Sequence, residues 1–304
     1  MLIVWLAASV LSSGAACKGP SPPQGSEEVQ RLTTECQQGK YVSCNNLGVR
    51  YMSGRGVTKD EARAVALLQK ACDGGVAPSC YNLGLMYADG HGVAKDEARA
   101  VALFLRTCDG GVARACNNLG TMYADGRGVP KDEARAGTLY ERACKNGEAG
   151  GCSNLGLMYE GGHGVVRDEA RAAALYQQAC DGGEAGGCGN LGLMYEDGHG
   201  VAQDEARAVA LFQKACDGGE VGSCTSLGFA YASGHGVVQD EARAGELFER
   251  ACDNGNARGC FDLGLLYANG RGVTKDEARA LALYKRACDG GFAEACEKVK
   301  KPPK

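Results

Sequence analysis

The chain has 304 residues, 44% of them hydrophobic but only 6% aromatic, and it carries 47 glycines and 17 cysteines. Alanine, glycine and leucine supply the apolar count, which suits closely packed helices in a layered array better than one aromatic-rich core. A formal net charge of -4 with no long basic stripe argues against nucleic acid as a partner, and the lack of any Cys-x-x-Cys removes the usual zinc and iron–sulfur spacings, so no cofactor or metal is implied.

At the start of the chain, Leu2 to Leu11 form an apolar segment too short to span a bilayer but suited to the core of a signal peptide, read as residues 1–16. Gly14-Ala15-Ala16-Cys17 resembles a bacterial lipobox, although Leu is usual where Gly14 stands and no Lys or Arg precedes the apolar run. The resemblance implies lipidation of Cys17 and accounts for the odd cysteine count. Because Lys18 follows, with no retention aspartate, it also implies an outer-membrane lipoprotein, attached to the membrane through that anchor only. Ordinary cleavage after Ala16, leaving Cys17 as a terminal thiol, is the alternative. Residues 17–27, with Pro20, Pro22 and Pro23, read as a flexible tether. The expected location is the periplasm or cell envelope of the exporting cell.

Over residues 28–297 one pattern recurs every 36 residues. Sixteen cysteines fall in pairs eight residues apart: Cys36/Cys44, Cys72/Cys80, Cys108/Cys116, Cys144/Cys152, Cys180/Cys188, Cys216/Cys224, Cys252/Cys260 and Cys288/Cys296. Starting each unit at the second cysteine gives seven copies, 44–79, 80–115, 116–151, 152–187, 188–223, 224–259 and 260–295, preceded by a half-unit. So many cysteines without metal-ligand spacing point to disulfides and an oxidising compartment. Residues 298–304, with Lys298, Lys300, Lys301 and Lys304, read as a basic solvated tail.

Unit 80–115 shows the logic of the repeat. Apolar residues at helical spacing run from Cys80 to Tyr87 and stop at Gly90-His91-Gly92, whose glycines permit a turn with positive φ. Asp96-Glu97-Ala98-Arg99-Ala100, a string present in all seven units, then opens a second helix, because carboxylates cap and stabilise a helix start. Ala100, Leu103, Phe104, Thr107 and Cys108 form one buried stripe, and Gly110-Gly111 ends the helix. Two such short helices cannot stand alone, so stacked copies must bury one another, giving an all-α fold, an α-solenoid of helix–turn–helix units. Every first helix also carries an internal glycine (Gly48, Gly84, Gly120, Gly156, Gly192, Gly228, Gly264), at a cost of roughly 1 kcal/mol against alanine. Its recurrence predicts close approach of a neighbouring helix backbone.

Leu-Gly-x-x-Tyr, Gly-x-Gly-Val, the aspartate opening the second helix, the alanine four residues on and the Leu-aromatic pair resemble Sel1-like repeats, which are similar to tetratricopeptide superhelices. The paired cysteines narrow the resemblance to the Helicobacter cysteine-rich proteins, secreted Sel1-like solenoids with disulfide bridges. Two pairings fit the helix geometry: a short one across each junction, such as Cys72 with Cys80, and a longer one within a unit, such as Cys44 with Cys72. Only the short pairing uses all sixteen cysteines, Cys36 and Cys296 included, and the resemblance implies the same bridges.

The chemistry expected of these residues is binding rather than catalysis. His91, His163, His199 and His235 all stand between the turn glycines, where Arg55, Arg127 and Arg271 stand in other units, and read as turn residues. No serine–lysine nucleophile, Gly-x-Ser-x-Gly, His-Glu-x-x-His or phosphate loop occurs, so no catalytic residue is named. Asn46, Asn82, Asn118, Asn154 and Asn190 recur two residues before the internal glycine, replaced by Ser226 and Asp262 in the last two units. By likeness to tetratricopeptide proteins, first helices line a concave groove and asparagines there bond a peptide backbone, implying a protein or peptide partner. The alternative is structural, with the same amides capping helices or bonding the adjacent helix. The Helicobacter relatives also carry a penicillin-binding and β-lactamase attribution, so a hydrolase is the alternative function.

Overall fold

The structure is a computed structural model that describes residues 24–300. The signal segment 1–16, Cys17, tether residues 18–23 and Lys301 and Lys304 of the basic tail lie outside the described residues. Regular structure among the described residues is helical throughout. α1 (Gln24–Gln37) leads into seven helix pairs. Their first helices are α2 (Tyr41–Ser53), α4 (Ala77–Asp89), α6 (Ala113–Asp125), α8 (Ala149–Gly161), α10 (Ala185–Asp197), α12 (Val221–Ser233) and α14 (Ala257–Asn269). Their second helices are α3 (Glu61–Asp73), α5 (Glu97–Asp109), α7 (Glu133–Lys145), α9 (Glu169–Asp181), α11 (Glu205–Asp217), α13 (Glu241–Asp253) and α15 (Glu277–Asp289), followed by α16 (Ala293–Lys300).

Three boundaries differ from the sequence reading. α1 opens at Gln24, inside the segment read as tether, with Glu27 in its first turn, where the helix dipole favours a carboxylate. α16 runs through Lys298 and Lys300, which the sequence reading gave to the tail; cations suit a helix C-terminus. First helices start three residues before the second cysteine, because the turn glycine with positive φ, such as Gly111 at 88°, already redirects the chain there.

The chain packs as two compact units. One contains the described residues up to Ser79 with His91–Ala94; the other contains Cys80–Gly90 and the described residues from Lys95 on. The sequence pattern marks no boundary there. In the first unit α2 packs on both α1 and α3, around Cys36, Cys44 and Ala71. In the second, α6, α8, α10, α12 and α14 each pack on their own second helix, and the second helices from α5 on each pack on the helix that follows. This alternation of partners is what makes a stack rather than a single core.

Four of the five letters of the recurrent Asp-Glu-Ala-Arg-Ala string have a physical reason. The aspartate accepts a hydrogen bond from the backbone N–H of the arginine three residues on, at 2.9 Å from Asp96 to Arg99. The arginine guanidinium lies over the repeat's tyrosine, 4.7 Å from Arg99 to the Tyr87 centroid and 4.3 Å from Arg171 to Tyr159. The last alanine is buried, as at Ala100 and Ala136. Hydrogen bonds from Lys95 and then Arg127 hold the Glu97 carboxyl below its ordinary value.

The internal glycine is explained differently from the sequence expectation. A Cβ at Gly84 would lie 2.6 Å from Phe104 Cε1, and one at Gly156 would lie 2.6 Å from Tyr176 Cε1. A side chain of the repeat's own second helix, an aromatic ring in six repeats and Leu68 at Gly48, fills the space in place of a neighbouring backbone.

Disulfides join Cys36 to Cys44, Cys108 to Cys116, Cys144 to Cys152, Cys180 to Cys188, Cys216 to Cys224, Cys252 to Cys260 and Cys288 to Cys296. Cys72 and Cys80 are likewise disulfide-bonded. Each of the first seven bridges named ties the last turn of one helix to the fourth residue of the next across the Gly or Asn turn. Closing so short a loop contributes roughly 2.5 kcal/mol on the chain-entropy account.

Candidate peptide-binding face

Within the second unit the two layers of helices are spaced differently. First helices of successive repeats touch, α6 with α8 and α8 with α10. Short amides are long enough to bridge them: Asn154 Nδ2 donates to Asn117 Oδ1 at 2.9 Å, and Asn118 Nδ2 donates to the Tyr81 hydroxyl at 3.2 Å. Second helices are linked instead by long side chains. Arg142 donates to the Cys108 carbonyl at 2.7 Å and pairs with Asp109 at 2.9 Å, Lys214 reaches the Cys180 carbonyl at 3.0 Å, and Arg250 reaches the Cys216 carbonyl at 2.8 Å. Each cation thereby caps the C-terminal end of the preceding second helix. The closer-set first helices form the inner layer of this unit.

The asparagines therefore divide. Asn118 and Asn154 are partly buried and their amide nitrogens are committed to the neighbouring first helix. Asn82 and Asn190 are partly buried and Asn46 is exposed, next to Asn45, whose amide donates to Asn46 Oδ1 at 3.2 Å. Asp262 is 5% exposed, and burial lifts its carboxyl to about 6 despite Arg258 at 3.3 Å. Three of the asparagines line clefts between consecutive first helices. Asn118 borders one of 190 Å³ floored by Phe104, Asn154 one of 270 Å³ floored by Tyr140, and Asn190 one of 240 Å³ floored by Phe212.

Apolar residues at a position that varies from unit to unit complete this surface. Leu157, Leu193 and Phe229, three residues beyond the Asn position in consecutive repeats, are 48%, 45% and 36% exposed. One turn further stand Glu160 and Glu196, the first accepting a 2.6 Å hydrogen bond from Tyr176, whose phenol is pushed up by burial and then by that carboxylate. The turn residues also do more than turn. Arg127 pairs with Glu97 at 3.0 Å, Arg271 with Glu241 at 2.6 Å, and His91 Nδ1 lies 3.9 Å from Glu61. The recurrent spacing of 30 between the two positions was the available signal. The second turn glycine sits so close to that helix start that a Cβ at Gly128 would lie 2.4 Å from the Glu97 carbonyl carbon. Among the described residues no group of three or more His, Cys, Asp or Glu is placed to hold a metal ion, and no helix is long and apolar enough to cross a membrane.

A model of the Sel1 repeat matches residues 42–76, 77–112, 113–148, 149–184, 186–220, 222–256 and 257–292. No curated protein matches the chain. Among solved structures, a protective antigen of uropathogenic Escherichia coli strains displaying an SLR fold is 30% identical with a TM-score of 0.79, covering 90% of this chain and 60% of that one. The chain thus spans less than two thirds of that antigen's length. A Sel1 repeat protein from Oxalobacter formigenes is 27% identical with a TM-score of 0.74, covering 93% and 83% respectively. Helicobacter pylori cysteine rich protein B is 30% identical over 43% of this chain and 94% of that one, with a TM-score of 0.36.

Proposed function

The chain belongs to the Sel1 repeat family, whose repeats form scaffolds suited to protein–protein interaction, and from that premise we propose that it is an exported, lipid-anchored scaffold that binds a protein or peptide across the concave, first-helix side of the stack. The observation that carries this reading is the row Leu157, Leu193 and Phe229, exposed in register on three successive first helices. Burying such a side chain is worth roughly 1.5–3 kcal/mol. A contiguous row left in water is characteristic of a surface that another molecule covers. Asn154 and Asn190 stand beside the row, and their carbonyl oxygens can accept hydrogen bonds from an extended backbone.

The disulfide-bonded cysteines suit an oxidising, extracellular or periplasmic setting. Within the proposal, residues 1–16 are the signal segment, Cys17 is acylated, and residues 18–23 link the anchor to the helical domain that begins at Gln24 and runs through Lys300. No observation favours the penicillin-binding or β-lactamase alternative, and it is not carried further.

A photoreactive phenylalanine analogue placed at Leu193 tests the binding face. Illumination in intact cell envelopes is expected to give a defined protein adduct from position 193 and none from Val166, which is 88% exposed in the turn before α9. Adducts from Val166 alone would remove the first-helix side from consideration. For the anchor, Cys17→Ser is expected to release the protein from the membrane fraction; a wild-type protein that is soluble with an unmodified N-terminus rules the anchor out.

A further inference from the structure

One carboxylate on the inner layer lacks the partner that its counterpart has. Glu160 is hydrogen-bonded by the Tyr176 hydroxyl. One repeat later the equivalent aromatic is Phe212, which has no hydroxyl, and the Glu196 carboxylate makes no hydrogen bond or ion pair among the described residues. Burial and then the adjacent Asp197 push this carboxyl above its ordinary range, with Glu205 adding to the effect and His235 opposing it. Those three are the titratable groups that face it. When ionised, Glu196 is a half-buried anion with no hydrogen bond or ion pair, eased at a distance by His235, an arrangement that is costly until a cation arrives.

The neighbouring helices do not supply that cation. α8, α10 and α12 contain no Lys or Arg in any of their 13 residues. Beside Glu196 lie the exposed Leu193 and the 240 Å³ cleft that Leu193, Asn190 and Phe212 share with Glu220, a second carboxylate. Around Leu157, Leu193 and Glu196 the surface is therefore apolar with a negative margin, while Glu220 is spent on capping α12 and Arg258 brings a positive charge to the far end, over Phe229. A nucleic acid, an anionic lipid surface or an acidic peptide has the wrong sign for it.

The molecule itself illustrates how a guanidinium settles on this layer. Arg258 lies 4.8 Å over the Phe229 ring and 5.8 Å from that of Phe292, while its Nε donates to Asp262 at 3.3 Å. Of these two elements the pair Leu193 and Glu196 repeats the carboxylate, and a leucine, which has no π face, stands where the ring does.

We propose that the inner faces of α8, α10 and α12 bind an extended peptide segment in which an arginine or lysine stands next to leucine-like side chains. The cation meets Glu196, and the apolar side chains lie along Leu157, Leu193 and Phe229. This rests on the scaffold reading above and adds the chemistry of the partner.

Fluorescein-labelled octapeptides serve as probes with the intact, disulfide-bonded protein: alternating arginine and leucine, alternating glutamate and leucine, and alternating arginine and glycine. The arginine–leucine probe is expected to bind saturably and about ten-fold more tightly than either control. Glu196→Gln and Leu193→Ser are each expected to weaken it about ten-fold, while Glu246→Gln, on the second-helix side, leaves it unchanged. Matching thermal melts and non-reducing gels establish that each variant is folded. Failure of the arginine–leucine probe to bind, equal binding of the glutamate probe, or full binding by Glu196→Gln overturns the inference. The photoreactive group at Leu193 separates this from the broader reading. Protein adducts from 193 in envelopes, with no effect of Glu196→Gln on the peptide, remove only the cationic specificity; adducts from Val166 alone remove both.

Discussion

The inner layer over α8 to α12 and the same layer over α14 to α16 are built on one repeat, yet one is open and the other closed on itself. In the open stretch the residue after the cysteine is small or polar, Ser153, Gly189 and Thr225, and Leu157 and Leu193 stay uncovered. At the closed end that residue is Phe261, buried with its ring 5.0 Å from Phe292 and 5.5 Å from Tyr284. The ladder position there is Asp262, and its cation, Arg258, comes from the same helix. One aromatic substitution and one charge pair thus convert a surface left open into one that is covered from within the chain. Leu157 and Leu193 are the commonest residue of their position, shared with Leu85 and Leu265, so what separates the two ends is the covering supplied by neighbours.

The difference can be broken most severely at Phe261. Phe261→Ala is expected to lower unfolding stability by about 4 kcal/mol through the cavity it leaves, whereas Leu193→Ala, half-exposed, should cost below about 1 kcal/mol. Urea melts of the two variants check the ranking, and a large loss at Leu193 would mean that the open stretch is core after all. Next comes pH. The Asp262 carboxyl is raised to about 6 by burial, above its range in an unfolded chain, so the folded state holds the proton longer. Stability tied to that proton is complete below about pH 4 and is lost as pH rises through about 6. Asp262→Asn, which restores the ladder amide, is expected to gain about 2–3 kcal/mol at pH 7 and nothing near pH 4. A gain independent of pH would point to packing instead of charge.

Two smaller effects sharpen the picture. Asn118→Ala and Asn154→Ala should each lower stability by about 1 kcal/mol, since they delete bonds between first helices, while Asn190→Ala should leave the melt almost unchanged. Equal losses at all three would assign the whole ladder to structure. Phe212→Tyr places a hydroxyl where Tyr176 has one, and is expected to weaken the arginine–leucine probe about three-fold by giving Glu196 a donor of its own. Unchanged affinity would indicate that the added hydroxyl does not reach the carboxylate.

Much of the fold is legible because its signals are local. Asp96 capping Arg99 N–H, the positive φ of Gly90 and Gly92, and the apolar stripe through Ala100, Phe104 and Cys108 each act within a few residues. Repetition at 36 residues then requires stacking. The candidate site is less legible. The asparagines stand out as a column, but a column does not reveal that Asn118 and Asn154 are spent on Tyr81 and Asn117 while Asn190 is not. The internal glycine announces close packing without saying whether a ring or a backbone fills the space.

Determined by the sequence alone, then, are the helix pairs, their caps and turns, and the Sel1 repeat family itself, because capping, glycine φ and hydrophobic periodicity are properties of neighbours along the chain. The tertiary structure decided which side chains meet from one repeat to the next: Arg142 on the Cys108 carbonyl, Tyr176 on Glu160, and Glu196 left without a donor opposite Phe212. Those meetings depend on the rotation and spacing between stacked helix pairs. These are set by the sum of many weak packing contacts across each junction, and no short stretch of sequence encodes that sum.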